Sequence, residues 1–174
     1  MTDTEIIEQL IRRLTIAVGR HLYGILGSYH ALERFTANLQ QARTPDGKRF
    51  PKPLSVNRGI LESIPDDEFR ELVEDEPRRP EPVRQHVQQS FEAFIRSKLK
   101  TNRLLVLSNL EMVFAYNLEL NILRTLAADD NRIILLLPGR RERGNIVMFS
   151  GLVDGTYTLP YNFIAENNLW KLEE

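Results

Sequence analysis

The chain has 174 residues, 42% hydrophobic and 27% charged, with 23 basic side chains against 24 acidic ones and a formal net charge of −1. That composition suits one folded domain, is too apolar for a disordered chain, and supplies no bulk charge to steer the protein to nucleic acid or an anionic membrane. Cysteine is absent, which removes disulfides, thiolate zinc sites and thiol nucleophiles together.

Thr2 and Glu5 have capping-box spacing, and Ile6, Ile7, Leu10, Ile11 and Leu14 recur at helical intervals behind them. An N-terminal helix is expected within residues 1–18. Its stripe must be buried, either in the chain's own core or on a partner, so Ile7, Leu10 and Leu14 are candidate partner-binding residues. The start of the chain is acidic, unlike a signal peptide, and no run approaches the roughly 18 apolar residues of a membrane span. The expected location is the cytoplasm.

Leu22–Leu26 is a short apolar run that predicts a buried strand. It meets Gly27-Ser28, and Leu32, Phe35 and Leu39 then predict a helix to about Ala42. Residues 43–53, rich in proline, predict a loop. Leu54–Asn57 predicts a second strand, Ile60 to Ile64 a short helix, and Glu68 to Glu74 another. Residues 75–82 hold three prolines among charges and predict a linker or exposed excursion. Val83, Val87, Phe91, Ile95 and Leu99 predict a helix of about 17 residues.

Leu104–Leu107 and Ile133–Leu137 are unbroken apolar runs, the pattern of central parallel strands covered on both faces. Helical segments lie between them, from Leu110 to Leu126. Pro138-Gly139 is expected to stop the second run. A basic loop then leads to a strand at Ile146–Phe149, and residues 150–174 form a tail with enough apolar side chains to dock. Strands alternating with helices predict one α/β domain over 1–174: three layers around a mostly parallel central sheet.

The first strand–turn–helix is where a nucleotide-binding P-loop sits. A working loop reads GxxxxGK[ST], its glycines wrapping phosphate, its lysine meeting charge and its hydroxyl holding magnesium. Here Gly27, Ser28 and His30 occupy the position, with no second glycine and no lysine, and Glu33 follows. The central strand at 104–107 is followed by Ser108-Asn109 rather than a magnesium-organising acid. The reading is a P-loop-NTPase-like fold with degenerate motifs. No catalytic residue, metal ligand or cofactor is assigned, and His21, His30 and His86 form no HExxH pair.

Gly139–Gly144 carries Arg140, Arg141 and Arg143. Guanidinium forks there suit a carboxylate or phosphate, and a solvated hairpin-like loop between two strands is the competing reading. The run Leu104–Phe114 resembles a segment of small proteins from bacterial BREX (bacteriophage exclusion) loci. Ile133–Leu137 with Pro138-Gly139-Arg140 and Met148-Phe149 is similar to the end of the BrxB family. Ser108–Phe114 and Leu54–Asn57 look like the BrxF type, whose members carry a glycine-lysine P-loop that this chain lacks. The resemblance implies a non-catalytic adaptor in a phage-defence complex, with a PglZ-like protein or another BREX subunit as partner. The alternative is a nucleotide- or nucleic-acid-binding module using Arg140–Arg143. A homo-oligomer stays open.

Overall fold

The computed structural model describes residues 1–149, 157–160 and 162–174. Among the described residues, seven strands form one connected sheet: β1 (Leu22–Gly27), β2 (Leu54–Ser55), β3 (Leu104–Ser108), β4 (Arg132–Glu142), β5 (Asn145–Met148), β6 (Tyr157–Leu159) and β7 (Leu169–Lys171). The helices are α1 (Asp3–Leu14), α2 (Tyr29–Gln41), α3 (Val56–Glu62), α4 (Asp66–Asp75), α5 (Pro80–Thr101), α6 (Glu111–Ala115) and α7 (Asn121–Leu126). Five strands are parallel in the order β2-β3-β4-β1-β7, and β5 and β6 extend the sheet antiparallel from β4. No helix among the described residues is long and apolar enough to cross a membrane.

The two apolar runs are adjacent parallel strands, with Leu105 opposite Ile133 and Leu107 opposite Leu135. Their alternate side chains serve two cores, as the two-residue period of a strand requires. Ile133, Leu135 and Leu137 join α3, α5, α6 and α7 on one face. Ile134 and Leu136 join α1 and α2 on the other. Only the β1-to-β2 connection runs against the direction of the later parallel crossovers. Its helix, α2, is also the crossover helix on the opposite face, the arrangement needed to keep every crossover the same hand.

Of the two destinations open to the stripe of the first helix, the structure shows the chain's own core. Ile7, Leu10 and Leu14 are buried, along with Ile6, in the core beneath α1 and α2. The Arg34 guanidinium forks onto the Asp3 carboxylate at 3.1 and 3.2 Å, and Asn38 donates to the same carboxylate at 2.7 Å. These bonds hold α1 against α2. The capping box at Thr2 and Glu5 is present, and the helix ends at Leu14 rather than running on to residue 18.

Three further boundaries differ from the sequence reading. Only Leu54-Ser55 is strand; Val56 and Asn57 open α3, because the Ser55 hydroxyl accepts the Arg58 N–H as a helix cap. The exposed excursion expected over 75–82 is shorter than the sequence suggests: all eight residues are exposed, but only 76–79 join the two helices, since α4 reaches Asp75 and α5 starts at Pro80. Proline fits the first turn of a helix, where its missing N–H has no partner to lose. Pro138-Gly139 does not stop β4. Parallel pairing with β1 ends at Pro138, and antiparallel pairing with β5 begins at Gly139. A Cβ at Gly139 would press on the Val147 carbonyl, so glycine permits the change of partner. The tail supplies β6 and the edge strand β7, where Trp170 stacks on Tyr23 with ring centroids 6.0 Å apart; residues 150–156 and 161 of that tail lie outside the described residues.

Leu135 sits in the middle of β4 and is 2% exposed. Replacing it with alanine removes apolar contacts and leaves a cavity, so Leu135→Ala should lower unfolding free energy by about 2–5 kcal/mol. Urea denaturation of the two proteins measures this directly.

Candidate functional site

In open α/β sheets, ligands favour the carboxyl edge, where neighbouring strands send their connections to opposite faces. Here that point lies between β1 and β4. The connection from β1 to α2 is Ser28 alone. Its hydroxyl accepts the Ala31 N–H at 3.2 Å and so caps α2. Gly27 packs closely against Leu172, just beyond β7, and the Leu172 N–H donates to the Leu26 carbonyl at 2.8 Å. The backbone at Gly27-Ser28 forms a capped turn of one residue, with no stretch of loop to wrap a phosphate. His30 lies exposed on the first turn of α2.

The nearest acid after β3 is Glu111. One carboxylate oxygen accepts the Asn57 amide at 2.8 Å and the other the Tyr29 hydroxyl at 3.3 Å. Burial, and then the Glu111 charge, raise the Tyr29 pKa, keeping the phenol a donor. Asn57 also accepts the Met112 N–H at 2.9 Å. This network ties α2, α3 and α6 together across the carboxyl edge, and both Glu111 oxygens are engaged within it.

Arg140, Arg141 and Arg143 lie on an exposed two-stranded hairpin, the competing reading in the sequence. Arg143 and Gly144 both have positive φ, 50° and 81°, as a tight two-residue hairpin turn requires. Arg140 pairs with Glu142 at 3.1 Å and Arg141 with Glu166 at 3.6 Å. Arg143 at the tip has no carboxylate partner among the described residues. The base of the hairpin is apolar: Ile146 and Met148 are fully buried, and Phe149 meets both Phe114 and Tyr157 edge to face. The hairpin is therefore a fixed arm with a charged tip.

One surface escaped the sequence reading. No residue of α4 is buried. Phe69 and Val73, four positions apart and so on one side of the helix, are 37% and 50% exposed, and Leu61 on α3 is 41% exposed. Leu72 is the side chain of α4 that packs on the core. Residues 66–76 hold seven acids and one base, Arg70, a net charge of −6. Acids in the first turn suit the positive end of a helix, but Glu74 and Asp75 lie at the negative end, and the last turn has no base. Helix stability does not explain that placement. The clue in the sequence was the apolar content of 66–75, too small for a core helix yet aligned as Phe69-Leu72-Val73.

Comparison of the chain with protein-family models, with curated proteins and with solved structures finds no match in any of the three. Among the described residues, no cluster of His, Asp and Glu is grouped to hold a metal ion.

At the opposite edge of the sheet, His21 is 1% exposed and shares a 2.6 Å hydrogen bond with the Tyr23 hydroxyl. Burial, then the neighbouring Arg132 charge, lower the His21 pKa, with Asp129 opposing. Burial pushes Tyr23 up to about 12. The unfolded chain therefore takes up a His21 proton before the native state does. Stability from this residue is fully present above about pH 6.5 and is lost as pH falls from there through the lower folded-state value. Urea midpoints at pH 7.5 and 5.5 should drop in the wild type and drop less in His21→Gln.

Proposed function

We propose that this protein is a non-catalytic adaptor that binds a larger protein through the apolar, acid-rimmed side of α4. The observation that carries the reading is the exposure of Phe69 and Val73 on a helix with no buried residue. Exposed apolar side chains in a group, rimmed by charge, mark interaction surfaces on monomers. The net charge of −6 over residues 66–76 asks for a partner segment that carries lysine or arginine beside its apolar anchors. Glu74 and Asp75 at the end of α4 form no ion pair among the described residues, although Arg78 and Arg79 follow in sequence, and a cationic partner would supply one.

α4 is about 15 Å long, while a specific interface buries about 1,200–2,000 Å² in total. The interface therefore extends past the helix, and Leu61 on the neighbouring helix is its nearest apolar continuation. The BREX resemblance supplies the setting: a phage-defence complex in which a PglZ-like protein or another BREX subunit is the partner. The alternative, a degenerate P-loop relative that binds nucleotide or nucleic acid through Arg140–Arg143, has one guanidinium without a carboxylate, Arg143, in its support.

Co-expression with a PglZ-like protein, followed by affinity capture and size exclusion, tests the reading. Phe69→Ser with Val73→Ser should weaken association at least tenfold. Surface substitutions of this kind shift stability by about 0.5 kcal/mol or less, so the melting temperature should stay nearly unchanged. Association that is as tight in the double variant as in the wild type would refute this surface.

A further inference from the structure

We propose that the amino edge of the sheet holds a binding site for a small organic phosphate, about the size of a nucleoside monophosphate. A cavity of about 620 Å³ opens there between the 43–53 loop, the end of α5 and the start of β4. That volume lies within the range of small-molecule sites, about 300–1,000 Å³. Leu14 and Leu104 give it an apolar wall, and Lys48, Arg49, Arg103 and Arg132 bring four positive charges to its rim. Against them stand Asp46 and Asp130, leaving a net +2 on a chain whose total is −1.

The pairing inside the cavity leaves specific cations available. Lys48 reaches Asp46 only at 3.9 Å, and Arg103 pairs with Asp130 at 2.9 Å, both on exposed side chains. Such exposed pairs are weak, screened by solvent, and exchange readily. Arg49 has no carboxylate partner among the described residues. Arg132 is fixed by donating to the Ile16 carbonyl at 3.0 Å and the Asp130 carbonyl at 3.1 Å. Its Nε is buried and has no hydrogen-bond partner among the described residues. Two carbonyls hold this guanidinium without neutralising it, so its full charge stands at the cavity wall. A phosphate dianion matches the +2 excess, and guanidinium groups recognise phosphate oxygens through paired N–H donors. The apolar wall suits the organic part of the ester.

This site shares no residue with α4 or with the Arg140–Arg143 hairpin, so it stands or falls independently of the adaptor reading. Calorimetric titration of the full chain with AMP, and with adenosine as the uncharged probe, tests it. AMP should bind, adenosine should bind at least tenfold more weakly, and raising salt should weaken AMP. Arg49→Glu and Lys48→Glu, both at exposed positions that leave the core intact, should each weaken AMP at least tenfold. Arg140→Ala with Arg141→Ala and Arg143→Ala should leave AMP binding as it was. No detectable AMP binding, equal binding of adenosine, or binding lost in the hairpin variant and retained in Arg49→Glu would each overturn the proposal.

Discussion

The burial of β4 on both faces is the constraint from which the rest of the structure follows. Ile133–Leu137 has no polar side chain to turn toward water, and β1 and β3 occupy its two hydrogen-bonding edges. Apolar layers must therefore cover both sides of the sheet. α1 and α2 supply one and α3, α5, α6 and α7 the other. That demand claims the stripe on α1. It makes no such demand of α4, which touches the core through Leu72 and leaves Phe69 and Val73 in solvent. Which helix faces are open to a partner is decided by what the central strand needs, not by where a helix lies in the sequence.

The same central strand shapes both edges. At the carboxyl edge, the one-residue turn at Ser28, the packing of Leu172 on Gly27 and the Glu111 network occupy the place where α/β sheets usually receive ligands. At the amino edge, Arg132 begins β4 and anchors its guanidinium to backbone carbonyls. Open space and uncompensated positive charge thus meet at the end opposite to the one the fold class suggests. The electrostatics divide accordingly, with a cationic cavity at the amino edge and an anionic helix in α4.

Much of the fold was legible because its signals are long and unmixed. The runs at 104–107 and 133–137 predicted adjacent buried parallel strands, and the 3.6-residue spacing from Val83 to Leu99 predicted α5. What sequence reading lost were features decided by tertiary partners. Proline signals a break at 75–82, and one exists at 76–79, but Pro80 itself opens α5; at Pro138 no break follows, because β4 continues by exchanging β1 for β5. The amphipathic stripe of α1 looked the same whether it met its own core or a partner, and only the position of α2, clamped through Arg34 and Asp3, decides which. The face of α4 was hidden for the opposite reason: so few apolar residues among so many acids read as a solvated helix. The amino-edge cavity joins residues from 14 to 132, and no local pattern announces it.

In the proposed adaptor, α4 is the partner-binding element. Hydrogen–deuterium exchange of the chain, alone and in complex with a co-expressed partner, reads this out along the backbone. Because α4 has no buried residue, its exposed helical amides should exchange early in the free protein. Complex formation should slow exchange most over residues 66–76, with the amides of β4 already protected and little changed. Slowed exchange confined to the Arg140–Gly144 hairpin or to another surface, with 66–76 exchanging as fast as in the free chain, would contradict it.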